Sequence, residues 1–600
     1  MSAVLNVRGL SVSYRREGVE RAAVRGVTLE LAAGRILALV GESGSGKSTL
    51  GLALAGLLPE NARVAQGSIE LEGRDFSRAP EAEWRGVRGR VVGWLPQDAL
   101  AALDPLMPIG AQVAEALVYA DAVPPTEATR RALESLARAG FSDAETAARL
   151  HPHELSGGMR QRALFASALV RPPRVLVADE PTSALDATLA LRVVLLLREL
   201  ARGGTAVLWI THDLAAAASL ANDLVVLRAG EVVESGTPAR LRDRPEHPYT
   251  TALVRAAQFR RPEGAAGDMG PSVALSVREL SVEFEPHRAL FERPRPVVRA
   301  VRSASFELAT GEVLALVGES GSGKSTLARA ALGLVPRTGG ESRILVPALG
   351  RALDPENARG AEVLALRRTA GIVFQDPFSS LPPRLRVGAA VAEVLEVHGL
   401  ARGGVAADRA GDLLEQVGLQ RALGEAFPHE LSGGQRQRAA IARVLAAEPS
   451  VLVCDEVLSA LDPLVASDLL ELLRRLAKER GLALLFVTHD LRAARALASR
   501  AAVMYAGEIV EIGPADVVLR EPAHPYSAAL LAAQPTFDPS AAPPVGLAGE
   551  PPSASALPPG CAFHPRCPKA LTSCSAAHPG EFALDATHRA RCVLLNPATR

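Results

Sequence analysis

The sequence predicts two α/β domains of one design, placed one after the other, each built around a phosphate-binding loop. Three observations carry this. The stretch LALVGESGSGKSTL occupies 37–50 and returns unchanged at 314–327. An apolar run precedes each copy (36–40; 313–317) and a helix-compatible segment follows (48–58; 325–334), giving the order strand, glycine-rich loop, helix. Further motifs then recur in fixed order. Gly41 to Gly318, His212 to His489 and His247 to His524 are each 277 residues apart, and Glu180 to Glu456 is 276. Small insertions and deletions nearly cancel, as in an internal duplication.

Gly41–Ser48 and Gly318–Ser325 both fit G-x-x-x-x-G-K-[ST]. Glycines let backbone N–H groups close around phosphate oxygens, and the next helix points its positive end at the same anion. The nucleotide contacts expected are Gly41, Ser43, Gly44, Gly46, Lys47, Ser48 and Thr49, and in the second copy Gly318, Ser320, Gly321, Gly323, Lys324, Ser325 and Thr326. Lys47 and Lys324 should reach the β and γ phosphates of ATP, and Ser48 and Ser325 should hold Mg²⁺. The lysines are informative because only four occur, at 47, 324, 478 and 569, against 62 arginines. Both loops keep lysine where a compact ammonium must fit among phosphates.

With 600 residues and 48% apolar content, several large cores are possible. Acidic and basic side chains balance at 66 each and aromatics are only 4%, so neither charge nor base stacking points to nucleic acid. No run of 18 uncharged apolar residues occurs, and the N-terminus has no hydrophobic signal core. A cytosolic protein with reduced cysteines is therefore expected.

Strands are expected at 4–14 and 24–31. Tyr14 ends the first, and Phe284 ends its counterpart at 275–284; an aromatic placed there can stack on adenine. After the first loop come strands at 69–71 and 91–95, with Gln97 just beyond; the second copy gives 371–374 and Gln375. Glutamine at such a strand end can ligate Mg²⁺ and sense the γ-phosphate. Residues 110–150 and 388–427 have helical periodicity. LSGGMRQR at 155–162 and LSGGQRQR at 431–438 follow. Strands at 175–178 and 451–454 end in Asp179-Glu180 and Asp455-Glu456, where the Asp can hold the metal's water shell and the Glu can polarise an attacking water. SALD occurs at 183–186 and 459–462. Strands at 206–210 and 483–487 lead to His212 and His489, each suited to bonding a γ-phosphate oxygen.

Together these residues resemble the ATP-binding-cassette ATPase family, over about 530 residues. The resemblance implies two P-loop NTPase domains, each with a RecA-like core sheet, an antiparallel β subdomain and a helical subdomain. It also implies a head-to-tail pairing within the chain. One ATP would be held by Lys47, Ser48, Gln97, Asp179, Glu180 and His212 against Ser432, Gly433 and Gly434. The other would be held by Lys324, Ser325, Gln375, Asp455, Glu456 and His489 against Ser156, Gly157 and Gly158. Glu180 and Glu456 are the carried-over bases, so both sites should hydrolyse. Met159 departs from the family's glutamine, and Val457-Leu458 from its Pro-Thr.

The first half is similar to the D-type and the second to the F-type ATPase of dipeptide and oligopeptide importers, including 289–291, the run 375–381 and the His-Pro-Tyr pairs. Nickel importers share the pattern. The implied partners are two membrane permeases and, through them, a solute-binding protein, with no direct cargo contact and a peripheral place on the cytoplasmic face of the inner membrane. A soluble twin cassette acting on ribosomes or DNA is the competing class, disfavoured by the short Pro/Gly linker and the position of the cysteines.

The expected layout is a first domain at 1–258, a linker at 259–272, a second domain at 273–535, a flexible linker at 536–560 and a cysteine segment at 561–600. That segment holds Cys561, Cys567, Cys574 and Cys592. Four thiols in a reduced compartment favour a metal over disulfides, with [4Fe–4S] or zinc as the candidates. The close C-x2-C pairs of common zinc folds are missing, and the resemblance points to iron–sulfur. Cys454, in an apolar strand, reads as core.

Overall fold

The computed structural model describes residues 3–16, 18–182, 185–259, 272–285, 296–376, 380–459, 461–537 and 544–596. The residues expected at 183–184, 289–291 and 460, most of the 259–272 linker, and 377–379 of the Gln375 run lie outside these. The chain forms two compact units: Met1–Gln258 with Asp462–Leu464 and Ala533–Gly546, and Phe259–Leu461 with Val465–Ala532 and Leu547–Arg600.

In the first unit, β1 (Ala3–Arg16) and β2 (Val19–Ala32) form an antiparallel ribbon. With β4 (Ala62–Leu71) and β5 (Arg74–Asp75) they make a four-stranded sheet in the order β2-β1-β4-β5. The central sheet runs β10-β9-β3-β8-β7-β6. It contains β3 (Ile36–Val40), β6 (Val92–Leu95), β7 (Val175–Asp179), β8 (Ala206–Ile210), β9 (Asp223–Arg228) and β10 (Glu231–Gly236). Five strands are parallel and β10 is an antiparallel edge. A parallel sheet covered on both faces calls for continuous apolar runs, and every residue of β3, β7 and β8 is buried. Ile36, Ala38 and Val40 face one core with Ile109, Val113, Val193 and Leu197. Leu37 and Leu39 face the other, with Leu50, Leu54, Leu5 and Leu10. The expected helical region contains helices Ile109–Ala120, Pro125–Arg138 and Ala144–Arg149.

The second unit repeats the plan. Its antiparallel sheet, β12-β11-β14-β15, contains β11 (Val273–Phe284), β12 (Val298–Ala309), β14 (Gly339–Val346) and β15 (Arg351–Leu353). Its central sheet has eight strands, β16-β17-β18-β13-β19-β20-β22-β21. These are β13 (Val313–Val317), β16 (Ala370–Val373), β17 (Val451–Asp455), β18 (Ala483–Thr488), β19 (Arg500–Tyr505), β20 (Glu508–Pro514), β21 (Phe582–Ala583) and β22 (Arg589–Ala590).

The extra pair shows where the cysteine segment goes. It was expected as a separate piece beyond a flexible linker. Instead β22 hydrogen-bonds to β20, and Leu547, Ala562 and Phe563 enter the second unit's main core. Phe563 packs edge-on against Tyr505 and Tyr526, ring centroids 5.3 Å away in each case. Within 536–560, Ala554 O accepts the Arg299 N–H at 3.0 Å and Ala548 O accepts the Arg566 Nε–H, also at 3.0 Å. Burial of Phe563 drives this docking, and linker composition carries no trace of it.

Candidate functional site: two nucleotide-binding loops and a four-thiol pocket

Neighbouring parallel strands end side by side, so residues far apart in sequence meet at one sheet edge. In the first unit the carboxyl ends of β3, β8, β7 and β6 carry the glycine-rich loop, His212, Asp179-Glu180 and Gln97. In the second, β13, β18, β17 and β16 present the second loop, His489, Asp455-Glu456 and Gln375. Ligands of open α/β sheets bind at this edge.

The loop glycines are required by close backbone approach. A Cβ on Gly41 would lie 2.1 Å from Leu227 O, and one on Gly318 2.2 Å from Met504 O. Gly46 and Gly323, at φ 99° and 101°, cap the helices Lys47–Leu54 and Lys324–Ala331, and their Cβ atoms would strike Ala23 O and Ala300 O. Ser43, Gly44, Ser320 and Gly321 are exposed on the loop crests.

Lys47 Nζ donates to Gly41 O at 2.8 Å and Glu42 O at 2.6 Å; Lys324 repeats this with Gly318 O and Glu319 O. Burial pulls the Lys47 amine below its ordinary pKa, against the pull of Glu180 and Asp179. Ser48 Oγ–H donates to Asp179 Oδ1 at 3.2 Å, and Ser325 Oγ–H to Asp455 Oδ1 at 2.7 Å. These hydroxyl–carboxylate pairs mark where Mg²⁺ would be held. Burial pushes the Asp179 carboxyl up to about 6, opposed by the Ser48 bond and Lys47 and assisted by repulsion from Glu180.

Both candidate bases have left-handed backbone, Glu180 at φ 45° and Glu456 at φ 50°. Their N–H groups donate to Ile210 O and Val487 O on the neighbouring strand, each at 2.9 Å, and this holds the turn. Such geometry costs on the order of 1 kcal/mol and persists where the surroundings over-determine it. Glu180 Oε2 lies 3.2 Å from His212 Nδ1 and accepts from Gln97 Nε2 at 3.2 Å; Glu456 Oε2 is 3.7 Å from His489 Nδ1. Burial alone would raise the glutamates. The facing histidines and the lysines outweigh it, so both carboxyls sit below the usual range and both imidazoles above theirs. Asp213 and Asp490 cap the helices that follow, and this fixes the histidine positions at the strand ends.

Tyr14 Oη lies 3.3 Å from Thr49 Oγ1, which joins the aromatic to the loop helix; Phe284 is 44% exposed at the end of β11. Thr326 is half-buried in the second loop helix. The LSGG serines are helix N-caps. Ser156 Oγ accepts from Met159 N–H and Ser432 Oγ from Gln435 N–H, each at 3.3 Å. Gln435 Oε1 also accepts the Ser432 N–H at 2.9 Å, a reciprocal bond that Met159 cannot make. Gly157 and Gly433 are exposed, while Gly158 and Gly434 lie against Leu189 and Val465 with no room for a Cβ.

Two residues escaped sequence reasoning. Arg329 Nη2 pairs with Asp455 Oδ2 at 3.0 Å and its guanidinium lies over Phe374. The only signal is an arginine four residues after Ser325 where the first copy has Leu52. Arg566 reaches Glu319 of the second loop, and nothing in the sequence announces it.

Cys561, Cys567, Cys574 and Cys592 line one pocket with Phe563, Pro525, Val593 and Leu594. Burial raises the Cys561 thiol, and the other three thiols raise it further. Leu571 N–H donates to Cys574 Sγ at 3.4 Å. Yet among the described residues no group of three or more His, Cys, Asp or Glu side chains is placed to hold a metal ion. The iron–sulfur and zinc expectations therefore gain no support from this geometry: Cys574 comes from the short helix Ser573–Ala576 and the other three from irregular segments, and they line the pocket without closing on one ion. Cys454 is fully buried in β17, as core.

A duplicated sheet with a glycine-rich loop, strand-end Asp-Glu and strand-end histidine defines a twin nucleotide-hydrolysing cassette, and the chain belongs to the ABC transporter family. The model of that family, "ABC transporter", matches residues 24–183 and 301–459, and "Oligopeptide/dipeptide transporter, C-terminal region" matches 233–273 and 510–574. The chain is 39% identical over 572 residues to the glutathione import ATP-binding protein GsiA of Salmonella paratyphi A, covering 90% of each. It is 39% identical over 568 residues to the protein of the same name from Escherichia coli K12, again covering 90% of each. Among solved structures, the dimeric ATP-binding cassette MJ0796 bound to ADP and Pi is similar at 28% identity, covering 39% of this chain and 98% of that one, with a TM-score of 0.36. The protein is an ABC-type ATPase, and no helix among the described residues is long and apolar enough to cross a membrane.

Proposed function

We propose that the chain is the ATP-hydrolysing motor of an importer for short peptides. It would work peripherally at the inner membrane's cytoplasmic face beside two permeases that receive cargo from a solute-binding protein. The observation that carries the reading is one chain holding two full sets of strand-end residues together with the C-terminal region of oligopeptide and dipeptide transporters. Glutathione, the cargo named for the relatives, is a tripeptide derivative and fits the class.

Lys47 and Lys324 swing from the loop carbonyls to the β and γ phosphates, while loop N–H groups hold their oxygens. Ser48, Gln97 and Asp179, and Ser325, Gln375 and Asp455, would hold Mg²⁺, which would supply positive charge against the phosphates. Glu180 and Glu456 orient and deprotonate the attacking water. His212 and His489 donate to the γ-phosphate. Ser432–Gly434 complete the first site and Ser156–Gly158 the second when ATP draws the two halves together. Hydrolysis releases them, and the permeases alternate. The four cysteines that share one pocket are the candidate ligands of an iron–sulfur cluster, whose positive core would offset thiolate charge if they closed around it.

The test is isolation from membranes followed by reconstitution. Two permeases should co-purify, and binding protein loaded with glutathione or a dipeptide should raise ATP turnover severalfold. Co-sedimentation with ribosomes, or stimulation by nickel with none by peptides, would overturn the cargo class.

A further inference from the structure

The second loop is held from behind by the cysteine-bearing segment; among the described residues the first has no such contact. Arg566 lies in the turn between Cys561 and Cys567. Its guanidinium forms a two-pronged pair with Glu319, Nη1 to Oε2 at 2.7 Å and Nη2 to Oε1 at 2.9 Å. Both side chains are 3% exposed. Nη1 also reaches Tyr505 Oη at 3.3 Å, and Nε donates to Ala548 O at 3.0 Å.

Glu319 is the second residue of the loop. Its N–H donates to Tyr526 Oη at 2.9 Å, and its carbonyl accepts from Lys324 Nζ at 2.8 Å. One residue, Glu319, thus connects the loop lysine through its carbonyl and the thiol-bearing segment through its carboxylate. The turn presenting Arg566 is itself tied to them: His564 N–H donates to Cys561 O, Cys567 N–H to His564 O, and Cys561 N–H to Cys574 O.

The first unit has the same tyrosine bond, Glu42 N–H to Tyr249 Oη at 2.9 Å. There Arg228 takes the place of Tyr505 and lies over the Tyr249 ring at 5.0 Å. Glu42 is only half-buried, and among the described residues no arginine pairs with it.

We propose that Arg566 is a positioning residue through which the cysteine-bearing segment sets the nucleotide affinity of the second loop alone. A buried two-pronged ion pair fixes both the place and the plane of the Glu319 carboxylate. The loop binds phosphate through backbone N–H groups, so its affinity depends on how well that backbone is held in advance. Any change that loosens the Cys561–Cys567 turn would then weaken ATP binding at one site of two. This rests on the ATP-binding reading above.

The experiment measures ATP binding by calorimetry in the full chain, with one site silenced at a time. In a Lys47→Ala background, Arg566→Ala should weaken ATP binding about tenfold. In a Lys324→Ala background it should leave affinity unchanged. Because Arg566→Ala strands a buried carboxylate and lowers stability, the pair Glu319→Gln with Arg566→Met is made as well. That pair should regain thermal stability while second-site affinity stays weak. Recovery of binding together with stability, or equal losses at both sites, would overturn the proposal. Failure of the unmodified chain to bind ATP would instead sink the functional reading itself.

Discussion

Glu180 Oε2 and His212 Nδ1 are 3.2 Å apart across the ends of adjacent strands β7 and β8, and Glu456 and His489 repeat the relationship at 3.7 Å. Each pair keeps a carboxylate ionised in a largely buried place. A general base must be ionised and aimed, and a histidine neighbour at this distance would serve both needs if the glutamates act as proposed.

Glu180→Gln and Glu456→Gln should each lower steady-state ATP hydrolysis, and the two together should lower it at least about 100-fold with ATP binding retained. Phosphate-release kinetics beside nucleotide binding would check this. Undiminished turnover in the double variant would remove both glutamates from the role of base.

Asp179 titrates near 6 because of burial, whereas Glu180 is held below the usual carboxylate range. A raised carboxyl is ionised at pH 7 and protonated at pH 5, and the protonated form gives up its hold on Mg²⁺. In a Lys324→Ala background, Mg²⁺-dependent ATP binding at the first site should therefore fall as pH drops through 6. The Asp179→Asn variant should be weak at both pH values and lose that dependence. A flat profile in the parent would contradict the assignment.

Ser432 and Gln435 cap their helix reciprocally, whereas Met159 leaves Ser156 with one bond of two. Met159→Gln should complete the box and stabilise the first unit by about 0.5 kcal/mol. Chemical denaturation would read this as a small rise in the first unit's midpoint; a fall would show that the methionine packs in a way the glutamine cannot.

If the four thiols hold a cluster, anaerobically purified protein should carry iron and acid-labile sulfide in comparable amounts and a visible charge-transfer band. Cys561→Ser and Cys574→Ser should each abolish the colour. Colourless protein with zinc, or with no metal, would dismiss the cluster.

Much of each candidate site is legible in the sequence. The glycine-rich loops, the Asp-Glu pairs and the Thr-His-Asp turns announce themselves because phosphate chemistry permits few residue types, and duplication states each motif twice. The all-buried strands at 36–40 and 206–210 were legible for a similar reason, since a sheet covered on both faces leaves room only for apolar side chains. Arg329 was not legible, because its partner Asp455 is 126 residues away. Nor was the docking of Phe563, which depends on two tyrosines brought together by strand β19 and the helix Pro525–Ala532.

By itself, the sequence determined the order of the motifs: two glycine-rich loops with their lysines and serines, strand-end Asp-Glu pairs and strand-end histidines, set out by local strand–loop–helix rules. Only the tertiary structure decided what those groups lean on. It set His212 against Glu180, Arg329 against Asp455 and Arg566 against Glu319, because side chains distant along a chain meet only when strand order and core packing bring their backbones together.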